Sequence, residues 1–544
     1  MITFGRITSM LVMKKIYFDK PRWQWERKHY GNMMLNPNYR MNPHIVVVGE
    51  SGSGKSNACM GLARQLAAAG ERVAILDPHD EYSGLADEIN ARIYDAAYNG
   101  INAFELDGAS ERERASELTG MLKRIFRLGE VQGYHLYKAI MYTYARLYGT
   151  ERAQNIHDLL YSISLLKKKA GTADSRILDG LSRRLLLLDT GNVSHSADMD
   201  GVMNGNSIFV LSGLHTNEAQ SVYIESFLRK IYRRMLQMDK RPKSRFYVII
   251  DEAEKLGQKS IAGKIAAEGR KYGIGIIAVS QRIKSIDKDI RTNASLIAAF
   301  YQREPEDLNY LANLVSGGNE LNRFIEIKKA LRGLRTGEAV ICESGMRNPV
   351  ITLFGNGAPK KPCLTYEIAR RCMLAANADE ICVAMNGLGF GKEDTVKRLD
   401  SMEKEGSLQS HVVDAESEYD GKWYMSMPRN SPEHDVCVGL VSRQLKRLGI
   451  DSRIYNNSYG PDLVAHYGRE KIAFEYETGS KDIEKTASML KFRLNVYPRV
   501  TVIVNNAHFQ RYFNALNIEN VRVMGLSEFL KAKGMHELLY MKNV

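Results

Sequence analysis

The eight residues GESGSGKS, Gly49 to Ser56, carry the plainest chemistry in this chain. Glycines let backbone amides converge on an anion, and amides at the start of a helix add a favourable potential for phosphate. This spacing is that of a phosphate-binding loop. Lys55 is expected to reach the β- and γ-phosphates of a nucleotide, and the Ser56 hydroxyl to ligate magnesium. Gly49, Glu50, Ser51, Gly52, Ser53, Gly54 and Asn57 complete the expected nucleotide-binding stretch. ATP and Mg2+ are the cofactors this predicts.

A second segment, RFYVIIDEAEKLG, supplies the acidic partner. Four apolar residues of a buried strand end at Asp251, placed to hold magnesium through water, and Glu252 can polarise an attacking water. The plainer alternative is a carboxylate pair that caps the next helix. Glu252 implies hydrolysis and not binding alone.

These residues need elements to hold them. The loop follows the apolar run HIVVVG and precedes NACMGLARQLAAAG, so a strand, a loop and a helix are predicted in that order. Further apolar β-branched runs, RVAILD, SIFVL, RFYVII, GIGIIAV and EAVIC, alternate with helical stretches. Such short continuous strands predict a buried parallel sheet with crossover helices. From about 110 to 204 the apolar positions recur at helical spacing, as in ELTGMLKRIFRLG, which predicts an all-helical insertion. GNGAPKKP, Gly355 to Pro362, is the best linker, since glycine, proline and charge extend neither flank.

With those elements in place, LDPHDEYSGL after the second strand, DEAEKLG, and EGRKYGIGIIAVSQR together resemble the HerA and FtsK superfamily of ring-shaped DNA translocases. The likeness is strongest to its archaeal HerA branch and to relatives in conjugation, and covers roughly Asn42 to Gly355. It implies an α/β fold with a RecA-like P-loop NTPase core, double-stranded DNA as partner, and a homo-oligomer, a hexamer. It also implies that Gln281 senses the γ-phosphate and that Arg270 reaches a neighbouring subunit's nucleotide. Without the resemblance, Arg270 is a plain helix-end cation. Asp77, His79 and Glu81 match the family's DPHDEY element, where Glu81 is expected to brace the loop. HerA proteins carry a small β-barrel before the P-loop. Here the 1–41 extension, aromatic and basic, stands in that place and reads as a hairpin leaning on the 42–357 core, so no function of the barrel is carried over.

Beyond the linker, 363–427 reads as three helices and a short hairpin, the order of a winged helix. Its candidate recognition helix, around Lys392 to Lys404, mixes Lys392, Lys397, Arg398 and Lys404 with Glu393, Asp394, Asp400, Glu403 and Glu405. A protein-binding winged helix or a helical connector fits that charge as well as DNA reading does. The segment 431–544 resembles the restriction-endonuclease-like fold and its PD-(D/E)xK pattern. Pro461 and Asp462 are followed across a hairpin by Glu475 and Glu477, with Glu433 on the preceding helix completing an acidic cluster. The resemblance implies that such carboxylates bind magnesium while a lysine orients water. Glu477 stands where that lysine is expected, with Lys481 and Lys485 as substitutes, so the segment either cuts DNA or only holds it. The simpler alternative is two solvent-facing glutamates on an amphipathic strand.

A chain of 544 residues exceeds one ordinary core, and roughly three domains are expected. The formal charge of +13 favours a polyanionic partner, with simple solubility as the other explanation. Six scattered cysteines without a CxxC pair suggest neither a zinc knuckle nor a disulfide framework. No apolar run reaches the ~20 residues a membrane span needs, and a cytoplasmic protein is expected. The leading expectation is an ATP-driven double-stranded DNA motor of a mobile element, acting in transfer, packaging or processing, with other DNA-processing proteins as further partners. A secretion-type ATPase, indifferent to DNA, and an antiviral ATPase-nuclease are the alternatives.

Overall fold

The computed structural model describes residues 2–14, 22–28, 30–35, 42–96, 101–148, 154–188, 197–240, 246–317, 320–344, 346, 348–355, 362–415, 417–426, 431–454, 461–467, 470–479, 482–494 and 496–539. These residues fall into two compact units, one within 2–355 and one within 362–539.

The first unit is built on one twelve-stranded sheet. Its strands are β1 (Ile2–Lys14), β2 (Arg22–Arg27), β3 (Asn32–Leu35), β4 (Ile45–Val48), β5 (Arg72–Asp77), β6 (Ala91–Asp95), β7 (Asn206–Val210), β8 (Phe246–Ile250), β9 (Ile274–Ser280), β10 (Leu296–Phe300), β11 (Glu338–Glu343) and β12 (Val350–Leu353). They lie in the order β2-β1-β12-β11-β10-β4-β9-β8-β5-β7-β6, with β3 on β1. The stretch from β10 to β6 is parallel throughout. Every residue of β4, β8, β9 and β10 is buried, which is why these runs are apolar without alternation.

The sheet corrects the sequence reading in two respects. EAVIC is β11, and it pairs antiparallel with β10, so the sheet is mixed and not purely parallel. The strands LIAAF and ARIYD were not anticipated; LIAAF holds two alanines and ARIYD two charges, which blunts the apolar signal. The N-terminal extension makes no barrel among the described residues. β1 pairs antiparallel with β12, and β2 and β3 with β1, so it widens the main sheet. Trp23 and Trp25 fix that edge: the Trp23 amide donates to Asn322 Oδ1 at 2.6 Å and the Trp25 indole to the Glu326 carbonyl at 3.1 Å.

Helices Glu111–Ile125, Glu130–Arg146, Ile156–Lys169 and Thr172–Leu185 form the insertion around their own apolar cluster, including Leu118, Leu136, Ile140 and Leu181. Buried Lys230 of helix Asn217–Leu236 meets Glu105 and Asp107, each at 2.6 Å, beside that cluster. The linker residues 356–361 lie outside the described residues.

The second unit begins with helices Leu364–Arg371, Ala378–Gly387 and Lys392–Lys404 and a small sheet of β13 (Ala376–Asn377), β14 (Leu408–Val413) and β15 (Gly421–Ser426). A five-stranded sheet follows: β16 (Asp451–Ile454), β17 (Leu463–Tyr467), β18 (Glu470–Glu477), β19 (Arg499–Val504) and β20 (Val521–Gly525), paired in chain order. β16 to β18 are antiparallel and β18 to β20 parallel. The parts read as separate domains share a core: one apolar cluster joins Trp423 and Met425 of β15 to Val436 and Leu440 of helix Pro432–Arg447 and Phe474 of β18. Arg443 of that helix donates to Glu380 Oε2 at 2.8 Å and stacks over Trp423.

Candidate active site

Register brings the predicted chemistry to one edge of the parallel sheet. Val48 is opposite Ser280, Ala278 opposite Ile250, and Ile250 opposite Leu76. The residues that follow these strand ends, Gly49, Gln281, Asp251 and Asp77, therefore lie side by side at the carboxyl edge, where open α/β sheets bind ligands.

The loop itself is shaped by backbone. Gly52 and Gly54 hold φ of 75° and 104°, in the left-handed region. The Ser53 amide and hydroxyl both donate to the Glu50 carbonyl, at 3.2 and 2.7 Å. Lys55 Nζ donates to the same carbonyl at 2.9 Å. Burial lowers the Lys55 pKa, with the Asp251 and Glu254 charges acting the other way. Glu50 accepts from the Arg303 amide at 2.8 Å, while Ser51 and Asn57 are exposed.

Asp251 is buried at the end of β8, and burial pushes its carboxyl up to about 6 against the opposing effects of Tyr82 and Lys55. Magnesium fits the donors present. The Ser56 hydroxyl in the first helical turn and the Asp251 carboxylate are hard oxygen ligands. Glu252 has φ 55° and ψ 51°, a conformation that costs a non-glycine residue roughly 1–3 kcal/mol and clusters at functional positions. His79 Nε2 meets its Oε1 at 2.9 Å, and Lys255 Nζ its Oε2 at 2.7 Å. Burial raises the Glu252 pKa, but Lys255 and His79 outweigh it and the net shift is downward.

The DPHDEY loop is braced by Asp77, correcting the role expected for Glu81. Asp77 is buried, and its carboxylate accepts from the amides of His79, Glu81 and Tyr82 at 3.3, 3.1 and 2.8 Å. Burial pushes that carboxyl up to about 7, with the amides of Tyr82 and Glu81 opposing. The Glu81 side chain is exposed. The His79 contact escaped the sequence reading, although the motif that contains it stood out.

Gln281 is exposed just after β9, its carbonyl accepting from Gln302 Nε2 at 2.8 Å. Arg270 is also exposed, on the turn Gly269–Tyr272 that leads into the amino end of β9. At about 3.3 Å per residue, this strand separates Arg270 from its own phosphate loop by on the order of 20 Å.

Residues 32–231 match the family model described as Helicase HerA, central domain. That stretch, which holds the phosphate loop, is therefore similar to the central domain of HerA helicases. The DNA double-strand break repair helicase HerA of Sulfurisphaera tokodaii is 29% identical over 332 residues, 57% of this chain and 64% of that protein. The protein of that name from Pyrococcus furiosus is 22% identical over 392 residues, 60% of this chain and 69% of its own length. This chain thus spans less than two thirds of the first relative. Among solved structures, VirB4 of Thermoanaerobacter pseudethanolicus aligns with 60% of this chain and 94% of its own at 16% identity and a TM-score of 0.48. No helix among the described residues is long and apolar enough to cross a membrane.

In the second unit the acidic residues do come together. Asp462 lies beside Glu475, because Leu463 pairs with Phe474 across the β17–β18 hairpin. Protein donors take these carboxylates. Asp462 accepts the Tyr476 amide at 2.7 Å and meets His434 Nε2 at 3.3 Å. Glu475 accepts from Arg493 Nε at 2.5 Å, and Glu433 from the Tyr476 hydroxyl at 3.0 Å and Asn505 Nδ2 at 2.5 Å. Burial pushes Glu475 up to about 7, with Arg493 opposing. Burial lowers His434, but Asp462 and Asp435 outweigh it and lift the imidazole to about 10. Glu475 and Glu477 are 3% and 1% exposed, so the solvent-facing alternative is corrected. The cations that meet the cluster among the described residues are Arg493 and His434, while Lys485 is exposed and Lys481 lies outside the described residues. Among the described residues no three His, Cys, Asp or Glu are arranged to hold a metal. Arg398 of the candidate recognition helix is engaged internally, by Thr365 at 2.8 Å and Glu405 at 3.1 Å.

Proposed function

We propose that the chain is an ATP-hydrolysing motor that moves double-stranded DNA as a homo-oligomeric ring in the cytoplasm, in DNA transfer, packaging or processing. The observation that carries this is Glu252, at a left-handed backbone position beside Asp251 at the sheet edge that also presents the phosphate loop. A carboxylate there is a base for water, and its lowered pKa keeps it ionised at neutral pH. Lys55 and the loop amides bind the phosphates, and Gln281 contacts the γ-phosphate side. Ser56 and Asp251 would hold magnesium, which neutralises phosphate charge when bound.

The ring rests on Arg270, which lies too far from its own loop to serve it and acts on a neighbour's nucleotide. Basic net charge supports DNA as the track. In the second unit we take 363–427 as a winged-helix-like element and 431–544 as a restriction-endonuclease-like one. The Arg493–Glu475 and His434–Asp462 pairs favour a segment that holds DNA without cutting it.

The test is ATP hydrolysis with and without linear double-stranded DNA and magnesium, with DNA length followed on a gel. DNA-stimulated turnover lost in both Lys55→Ala and Glu252→Gln, on DNA that stays intact, is expected. Turnover indifferent to DNA sinks the motor reading in favour of the secretion-type one. Shortening that disappears in Asp462→Ala makes the protein a motor nuclease.

A further inference from the structure

We propose that His79 is a positioning residue for the hydrolytic carboxylate, an inference that rests on the reading of Glu252 given above. A glutamate side chain has three rotatable bonds, and a base of this kind must hold its oxygen within a fraction of an ångström to keep its rate. Here the two oxygens have separate donors from separate elements: Oε1 meets His79 Nε2 at 2.9 Å and Oε2 meets Lys255 Nζ at 2.7 Å. Together they fix the plane of the carboxylate and leave lone pairs for water.

The two donors are themselves anchored. Lys255 reaches Gln220 Oε1, and its carbonyl accepts from Ser221 Oγ at 2.9 Å, both on helix Asn217–Leu236. His79 is delivered by the loop after β5, where the buried Asp77 carboxylate gathers the amides of residues 79, 81 and 82, and Asp80 takes a φ of 61°. A short loop that strained, folded around a buried acid, ends by aiming one imidazole at Glu252. That imidazole is 56% exposed, and its partner among the described residues is Glu252. An exposed pair of this kind contributes little to folding, so its effect falls on where Glu252 points.

The experiment compares His79→Ala, His79→Gln and Glu252→Gln in the full chain, reading kcat, KM for ATP, the Kd of a fluorescent ATP analogue and the melting temperature. His79→Ala is expected to lower kcat on the order of tenfold, with KM, Kd and melting temperature close to wild type. His79→Gln keeps an N–H donor at similar reach and should restore most of the rate. If Glu252→Gln is inactive while His79→Ala keeps wild-type kcat, the inference is wrong and the hydrolytic reading stands. Loss of ATP affinity in step with kcat overturns it too, since His79 would then serve binding. Normal turnover by Glu252→Gln removes the reading on which the inference depends.

Discussion

Gly54 sits where a side chain has no room: an added Cβ would lie 2.9 Å from the Gly337 nitrogen and 3.1 Å from its Cα, on a backbone with φ +104°. Both neighbouring atoms are main chain, so nothing soft can move aside. Gly54→Ala should weaken binding of a fluorescent ATP analogue at least tenfold, about 1.4 kcal/mol, measured by titration. Another residue of the core sets a pH limit. His44 is fully buried, and its Nδ1 accepts from the Ile276 amide at 3.0 Å. Burial pushes the imidazole down to about 4, with the Ala266 carbonyl opposing. The unfolded chain takes up a proton near pH 6.5 that the folded chain refuses until about 4. Stability is therefore full above pH 6.5 and falls as pH drops towards 4, by about 3 kcal/mol in total. Thermal unfolding between pH 7 and 4 should show a shallower decline in His44→Gln than in wild type.

Between elements, the decisive contact of the second unit is Arg493 of helix Ile483–Leu494 against Glu475 of β18. Both side chains are 4% exposed, so each charge depends on the other for its solvation. Removing one partner of a buried pair costs about 3–5 kcal/mol, because the remaining charge is left uncompensated, whereas replacing both is far milder. Arg493→Met should lower the denaturant midpoint of this unit by an amount equivalent to that cost, and Arg493→Met with Glu475→Gln should recover much of it. The pair also explains why the sequence misleads at this place. The nuclease pattern puts a lysine two residues past Glu475, where Glu477 stands, with Lys481 or Lys485 as substitutes; the cation that meets Glu475 is instead Arg493, 18 residues on. Only the crossing of helix over sheet brings it there.

For the whole molecule, the separation of Arg270 from its own phosphate loop sets the test of assembly. One variant, Lys55→Ala, lacks a working loop but still offers Arg270; another, Arg270→Ala, has a working loop and no arginine to lend. Each alone should be nearly inactive. Mixed in equal amounts and allowed to exchange subunits, they should regain a measurable share of ATPase activity, because some junctions combine an intact loop with an intact arginine. No recovery in a mixture shown by labelled subunits to have exchanged would place Arg270 outside the reaction.

Local pattern alone specified a strand, a glycine loop, a helix and a carboxylate pair at a strand end, since each needs only neighbours in the chain: amides of a loop, apolar residues of a run. The same patterns announced the insertion and the succession of three helices and a hairpin after the linker. Strand direction, by contrast, depends on which edge a run joins, and EAVIC reads alike whether it runs with β10 or against it. The extension at the amino end likewise became part of the main sheet through β12, its partner more than 300 residues away. Contacts such as His79 with Glu252, Lys255 with Gln220 and Arg493 with Glu475 join residues separated by 173, 35 and 18 positions. They arise because parallel strands align their carboxyl ends and helices cross the sheet, and no spacing along a chain encodes which side chains then face one another.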